Sequence, residues 1–195
     1  NAATQQINSG RLQEIAHPSY FYSANVFGNF SEKIFPTEYK LELKKDAQVM
    51  LIRNDPEKRF VNGTLAIIEE LDEESIVVKV KKDDGSSTSF ALPKMVWEIY
   101  KYTYQEGDDP IKSEITGSFT QYPIRLAWSV TIHKSQGQTY DRVAIDFGRG
   151  AFEHGQAYVA LSRCRTLGGL YLKKPLQPRD VMVDERIVEF YEMMR

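Results

Sequence analysis

The chain has 195 residues, of which 42% are hydrophobic, and its 25 basic and 27 acidic residues give a formal net charge of -2. This size predicts one full domain, or one domain that carries a smaller one. A charge so close to zero excludes a polybasic coat for duplex DNA, so any nucleic-acid contact must be local. The single cysteine, Cys164, excludes a disulfide framework and a zinc knuckle made of several cysteines.

The sequence shows no targeting or membrane-spanning segment. Its longest apolar runs are far shorter than the about 20 residues of a membrane span, and the polar residues 1–6 do not resemble a signal peptide. We therefore expect an intracellular protein without a membrane partner, cytoplasmic if it is bacterial. The chain starts with asparagine and enters a helical pattern almost at once, so we expect it to be a piece of a longer protein.

The first half of the chain changes from helical to strand periodicity. Residues 3–16 place Ile7, Leu12 and Ile15 at roughly helical spacing, which predicts an amphipathic helix ended by Pro18. Five short runs separated by turn residues then predict strands, which cover residues 47–51, 65–68, 75–80, 89–92 and 96–104. Five short strands at this spacing predict a small barrel.

The fifth predicted strand is rich in aromatic residues, with Trp97, Tyr100, Tyr102 and Tyr104. These rings could form a base-stacking platform, as in strand-based proteins that bind single strands. Alternating aromatics on a strand more often pack inside a barrel. We therefore expect Trp97 and most of the tyrosines to lie in the core.

The second half of the chain alternates helices and strands. Residues 105–121 are polar and contain glycine, which predicts a loop or return linker. The following patterns predict a helix over 123–135, a strand over 142–147, a helix over 152–163, a strand over 169–172 and a helix over 184–194. Such alternation implies a parallel sheet, so the simplest fold is one α/β domain interrupted by a β insert.

The block from Thr131 to Thr139 concentrates polar side chains after an apolar run. Its imidazole, cation, hydroxyls and amides suit the phosphates of a nucleic-acid backbone, but the block could also be a solvated helix end capped by Gly137. The histidines lack ligand partners at metal-site spacing, so we expect no zinc. A serine hydrolase built from His133 and Ser135 is disfavoured because the chain has no G-x-S-x-G elbow.

A second block places Arg163 and Arg165 directly after an apolar stretch. They could form a basic last helical turn, or one could stabilise charge on a transferred phosphoryl group. Cys164 between them is expected to pack as a small residue. The sequence has no G-x-x-x-x-G-K-[ST] loop to cradle ATP phosphates. Together the blocks indicate half of an ATP-driven motor on single-stranded nucleic acid, with the nucleotide between two halves.

These blocks resemble motifs of the superfamily 1B 5′→3′ DNA helicases, in their RecD-like and petite-integration-frequency (PIF) branch. Residues 126–139 resemble motif V and 156–165 resemble motif VI, while 43–55 and 61–64 resemble the start of that branch's SH3-like insert. The beginning of the chain, through Leu12, resembles the motif IV region.

The resemblance implies an α/β fold, in which a RecA-like parallel-sheet domain is interrupted by a small SH3-like β-barrel. The RecA-like domain would have the P-loop NTPase fold without its own Walker A loop. It would comprise residues 1–45 and 118–195 as the second such domain of the helicase, and the insert would comprise 46–117.

The resemblance also implies a role for each site residue. Four residues would contact the backbone of single-stranded DNA, namely His133, Lys134, Ser135 and Gln136. Four others would lie at the nucleotide, namely Gly137, Gln138, Arg163 and Arg165, with Arg163 as the catalytic arginine finger. No metal ligand is expected in this chain.

The implied cofactor is ATP with Mg²⁺, bound in the full-length parent. The implied partners are single-stranded DNA and the N-terminal RecA-like domain of the same parent. The chain would be the C-terminal half of an ATP-dependent 5′→3′ DNA helicase of DNA repair or recombination. Without its first domain, it is not expected to hydrolyse ATP.

Two functions of other classes stay open. The chain could be a free-standing module that binds single-stranded nucleic acid through the barrel. A reading frame beginning with Met near residue 1 would favour that module, and an upstream Walker loop would exclude it. It could also be an interaction domain without nucleic-acid affinity, which would then bind no single strand even when joined to its first half.

Overall fold

A computed structural model describes residues 2–82, 84–104 and 111–194, and the chain divides into two compact units after Ser129. The first unit contains α1 (Ala2–Glu14), β1 (Tyr20–Ser23), β2 (Asn25–Gly28), β3 (Lys40–Leu43), β4 (Gln48–Leu51), β5 (Leu65–Leu71), β6 (Ile76–Lys81), β7 (Ser87–Ala91), β8 (Met95–Tyr104), β9 (Ile111–Gln121) and β10 (Ile124–Leu126). The second unit contains β11 (Val143–Ile145), α2 (Gln156–Leu161), β12 (Leu170–Leu172) and α3 (Glu185–Met193). No described helix is long and apolar enough to cross a membrane.

The strands of the first unit pair antiparallel in separate sheets. The largest has the order β10-β4-β5-β6-β7, a second has the order β2-β9-β8, and β1 pairs with β3. Strand β6 has one buried face and one exposed face: Ile76, Val78 and Val80 are buried, whereas Lys79 and Lys81 are exposed. This alternation follows from the two-residue repeat of a strand.

The core of the first unit lies between its largest sheet, α1 and β1–β3. Leu43, Val49 and Ile68 are fully buried there, and α1 adds Leu12. The α1 helix is also held by Asn8, whose side-chain amide donates to the carbonyl of Ser129 at 2.9 Å and accepts from its backbone amide at 2.8 Å. The predicted first helix is thus confirmed, with Leu12 as its buried anchor.

The loop between β4 and β5 is stabilised by a buried ion pair. Arg59 donates to both carboxylate oxygens of Asp55, with distances of 2.6 and 3.0 Å, and these hydrogen bonds hold the pKa of Asp55 below its usual range. The guanidinium of Arg59 also lies over the ring of Phe90, which stacks on Phe60. Removing one member of such a pair leaves an uncompensated buried charge, which destabilises the fold. The pair therefore contributes to the stability of this loop.

The second unit contains the one parallel pair of strands among the described residues, whereas β1, β3 and β10 of the predicted α/β domain pair antiparallel. Strands β11 and β12 pair parallel, with Val143 opposite Leu170, and the chain between them contains α2. Helix α2 is shorter than the predicted 152–163, because Gly155 before it adopts a left-handed φ of 70°. The predicted last helix is confirmed as α3, and Asp184 caps it by accepting from the backbone amide of Arg186.

Two predicted elements are wrong. Residues 111–121, predicted as loop, form β9, which pairs with β8 over its length; residues 105–110 of that prediction lie outside the described residues. The predicted helix over 123–135 is instead β10 followed by a short 3-10 turn, His133–Ser135. Residues 124–126 take the edge position beside β4, where pairing satisfies their backbone groups.

The predicted barrel of five consecutive strands is not what forms. Strands β4 to β7 share one sheet, but β8 pairs with β9 in another, and the described strands close no barrel. The prediction that most aromatics of β8 are buried is also wrong. Trp97 packs against the core, whereas Tyr100, Tyr102 and Tyr104 are exposed. The predicted division into 1–45 with 118–195 and 46–117 stays a prediction.

Candidate functional site

The block predicted to contact nucleic acid folds as a tight turn. The backbone amide of Ser135 donates to the carbonyls of Thr131 and Ile132, both at 3.1 Å, and its hydroxyl donates to Ile132 at 2.7 Å. Ser135 is buried at 6% exposure. Its hydroxyl therefore holds the turn together, while the side chains on either side of it face outward.

The three other residues of this block are exposed. His133 is within 2.8 Å of a carboxylate oxygen of Glu153, and Lys134 and Gln136 flank the buried serine. Gln136 donates its backbone amide to the carbonyl of His133 at 3.3 Å. The turn thus exposes an imidazole, an ammonium and an amide, and the last two are among the groups that bind backbone phosphates.

Gly137 ends the turn in the left-handed region, at a φ of 79° that favours glycine. The next residue, Gln138, donates its backbone amide to the carbonyl of Ser135 at 3.0 Å. A Cβ atom at residue 137 would meet nothing within 4 Å. The glycine is therefore required by the backbone angle and leaves open space beside the chain.

Arg163 connects the two predicted blocks. Its guanidinium donates to the carbonyl of Gln138 at 2.9 Å, to the carbonyl of Val159 at 2.8 Å and to the hydroxyl of Ser162 at 2.9 Å. All three acceptors are neutral oxygen atoms, and the side chain is half-buried. The three hydrogen bonds thus hold the arginine in place through neutral acceptors among the described residues.

The backbone on both sides of Arg163 is fixed by Tyr140. The amide of Tyr140 donates to the carbonyl of Arg163 at 2.7 Å, and the amide of Arg165 donates to the carbonyl of Tyr140 at 3.0 Å. Tyr140 and Cys164 thereby form a parallel bridge. The side chain of Arg165 lies 3.7 Å from a carboxylate oxygen of Asp141. The structure therefore brings Gln138, Arg163 and Arg165 together.

Two residues of this region were missed by sequence reasoning. Glu153 is the partner of His133, twenty positions away, and no local pattern signals it. Tyr140 has a buried hydroxyl that makes no hydrogen bond with the described residues. Burial raises the pKa of Tyr140, and the nearby charge of Arg163 opposes this rise. One sign of Tyr140 was present in the sequence, namely an aromatic residue directly after the block of residues 131–139.

The described part of the chain shows no metal cluster beside these residues. Among the described residues, no group of three or more histidine, cysteine, aspartate or glutamate side chains could hold a metal ion. A cavity of about 400 Å³ lies in the first unit, with His17, Lys45 and Asp72 among its lining residues. None of the predicted site residues lines it.

Comparison with known proteins identifies the family. The chain is 37% identical over 166 residues to the ATP-dependent DNA helicase Pif1 of Bdellovibrio bacteriovorus, covering 83% of this chain and 33% of that protein. It is 36% identical over 196 residues to human PIF1, covering 96% of this chain and 28% of that protein. The chain belongs to the Pif1 DNA helicase family. It spans about a third of the length of these relatives. No family model matches it.

Solved Pif1 structures share the fold. Bacteroides Pif1 bound to single-stranded DNA superimposes with a TM-score of 0.79 at 33% identity, covering 98% of this chain and 43% of that chain. The same protein with ADP-AlF4 gives a TM-score of 0.80 at 32% identity, covering 99% of this chain and 43% of that one. Candida albicans Pif1 gives 0.80 at 29% identity, with all of this chain and 48% of that one covered. The resemblance to the PIF branch and the RecA-like helicase domain are thus confirmed.

Proposed function

We propose that this chain is the C-terminal part of an ATP-dependent 5′→3′ DNA helicase, comprising a second RecA-like domain and an SH3-like insert. The observation that carries the proposal is the hydrogen bond from Arg163 to the carbonyl of Gln138, which joins the block for the nucleic acid to the block for the nucleotide. A motor needs such a connection, because ATP hydrolysis at the nucleotide site must change the affinity for DNA at the other site. The named activity of the Pif1 relatives supports the same reading.

In this proposal Arg163 is the arginine finger for ATP bound with Mg²⁺ in the parent. Mg²⁺ and ATP would supply the polarised phosphoryl group when bound, and the N-terminal domain of the parent would provide the metal ligands. The residues present fit the nucleotide, since the described acceptors of the guanidinium are neutral oxygens and Gly137 leaves open space beside the backbone. Gln138 and Arg165 would lie close to the same phosphates. The likeness to Bacteroides Pif1 with ADP-AlF4 supports this placement.

Single-stranded DNA is the proposed substrate of the exposed turn. Lys134 would supply a cation to a backbone phosphate, and His133 and Gln136 would supply hydrogen bonds. Ser135 would act mainly by holding the turn, because its hydroxyl is buried and donates to Ile132. These contacts carry no base information, so binding should tolerate any sequence. The likeness to Bacteroides Pif1 bound to single-stranded DNA supports the assignment.

The proposed insert rests on the packing of the first unit. Strands β4 to β7 form consecutive antiparallel neighbours, and the ion pair between Asp55 and Arg59 fixes the loop that precedes β5. We place the insert at residues 46–117 and the RecA-like domain at 1–45 and 118–195. The N-terminal RecA-like domain of the same parent would complete the nucleotide site.

The DNA contact is tested by changing Lys134 and Ser135 to Ala in the parental helicase. The double variant is expected to bind single strands more weakly, with an ATPase that DNA stimulates less. Loss of one phosphate contact should reduce the slope of log affinity against log salt by about 0.7. Titration of a labelled oligonucleotide at several salt concentrations measures both quantities.

The two single variants separate the roles. Lys134→Ala alone should produce the shallower salt slope, and Lys134→Arg should restore it because the charge returns. Ser135→Ala should lower the stability of the turn and leave the slope unchanged. If affinity and slope are unchanged in the double variant, the block is only a solvated turn and the proposed DNA contact is wrong.

A further inference from the structure

The pair of strands β8 and β9 extends beyond the rest of its sheet. Strand β2 pairs with β9 only at residues 117–120, whereas β8 and β9 continue to pair as far as Tyr104 and Ile111. We call residues 98–104 and 111–116 the ribbon. A two-stranded ribbon of this kind is marginally stable in water unless one face is covered.

One face of the ribbon is aromatic and apolar. Tyr100, Tyr102 and Tyr104 alternate along β8, and they lie opposite Ile115, Ser113 and Ile111, which share their face. The three rings are 44, 67 and 76% exposed. Ring centroids of Tyr100 and Tyr102 are 6.3 Å apart with planes inclined by 30°, so the rings already lie nearly parallel. We call these three tyrosines with the two isoleucines the tyrosine face.

The charges of the ribbon do not form a track for phosphates. Glu98 and Glu114 balance Lys101 and Lys112, and the hydroxyl of Tyr100 donates to Glu98 at 2.5 Å. A ligand of the tyrosine face must therefore be held by ring contacts rather than by net charge.

We propose that the tyrosine face is a stacking platform for the bases of single-stranded DNA. Rings two residues apart on a strand are separated by about 7 Å, a distance that successive bases of an extended strand can follow. Base stacking on aromatic side chains tolerates any sequence and needs no charge. It therefore agrees with the equal numbers of acidic and basic residues in the ribbon. The inference rests on the proposed helicase function, which provides the single strand.

The size of the face favours a nucleic-acid strand over a folded protein. The exposed parts of the three tyrosines amount to roughly 400 Å², and Ile111 and Ile115, which are 62 and 46% exposed, enlarge the face without bringing it to the size of a standard interface. A standard protein interface buries about 800 Å² on each partner. The tyrosine face is only two strands wide, so it matches a narrow, extended ligand.

The platform is tested in the parental helicase with two triple variants. Changing Tyr100, Tyr102 and Tyr104 to Leu keeps apolar side chains and removes the rings, so affinity for a labelled oligodeoxythymidine should fall on the order of 10-fold or more. Changing the same residues to Phe keeps the rings, so affinity should stay within about two-fold. The slope of affinity against salt should be equal in all three proteins, because no phosphate contact is lost. Fluorescence anisotropy provides these values.

Matched controls make each outcome decisive. Phe21→Leu removes an exposed ring of another sheet, which has Lys40 over it, and should leave DNA affinity unchanged. If the triple Leu variant unfolds in circular dichroism, Tyr104→Leu replaces it, since that ring is the most exposed of the three. A loss of affinity of about five-fold in that variant supports the platform, and none refutes it.

Other results identify other occupants or a deeper failure. Unchanged DNA affinity together with altered self-association in sedimentation would make the face a protein interface and overturn the platform. If the Leu variant binds normally while Lys134→Ala lowers the salt slope, only the platform is wrong. If the parental protein binds no single strands at all, the proposed function fails with it.

Discussion

Arg163→Ala in the parental helicase is expected to reduce ATP turnover by a factor on the order of 10³ or more, while ATP binding is less affected. Among the described residues the guanidinium is anchored to the neutral carbonyls of Gln138 and Val159, so its charge can stabilise a transferring phosphoryl group. Alanine removes that charge and also the link between the two blocks. DNA stimulation of the residual turnover should therefore be lost as well.

Two variants separate the finger from a general effect of charge. Arg163→Lys keeps a cation but loses the planar set of donors, so it should recover little of the turnover. Arg165→Ala removes a cation that lies beside Asp141 and should have a smaller effect. Phosphate release and the binding of a fluorescent nucleotide distinguish catalysis from affinity. Turnover that survives in Arg163→Ala but disappears in Arg165→Ala would show that the other arginine is the finger.

The part of the site that sequence could predict is local. The apolar run before residue 133 was wrongly predicted as a helix, but Gly137 has the positive φ expected of the glycine that ends such a segment. The meeting of Gln138 with Arg163 was implied only by resemblance, since it spans 25 residues. The pair between His133 and Glu153 was beyond either kind of reasoning, because one exposed glutamate among many carries no signal.

The two wrongly predicted elements have a common physical cause. Residues 124–126 have an apolar pattern that suits a helix or a strand, and their pairing with β4 decided the outcome. Likewise, residues 111–116 contain polar residues and read as a loop, but they pair with β8 as a projecting ribbon that is exposed on both faces. The periodicity of apolar residues indicates which face of an element is buried, so it cannot identify a strand that is exposed on both faces.

The tyrosines of β8 illustrate the same limit. The alternation of aromatic residues along β8 predicts a strand that faces the core. This prediction is correct for Trp97, which packs against the core and Phe119. Beyond Ile99 a β-bulge interrupts the register and the strand leaves the sheet, which places the three rings in solvent. The sequence pattern does not show where a strand passes the edge of its sheet.

Gly169→Ala is expected to destabilise the second unit by about 3 kcal/mol or more, at or above the usual upper range for overpacking. A Cβ atom at residue 169 would lie 2.0 Å from the backbone oxygen of Asp141 and 2.9 Å from the sulfur of Cys164. The first contact is with backbone, so no side-chain rotation can relieve it. Asp141 follows Tyr140, whose amide donates to the carbonyl of Arg163, and the displacement should therefore reach the proposed finger.

The neighbouring glycine provides the matched control. A Cβ atom at Gly168 would meet nothing within 4 Å, so Gly168→Ala should be tolerated and could stabilise the protein by restricting the unfolded chain. Thermal and urea unfolding of the two variants should therefore diverge, and ATP turnover of the parental helicase should fall only with Gly169→Ala. Equal stability of both variants would contradict the tight packing of Gly169 against Asp141. A stable Gly169→Ala with normal turnover would also remove the argument that this contact positions Arg163.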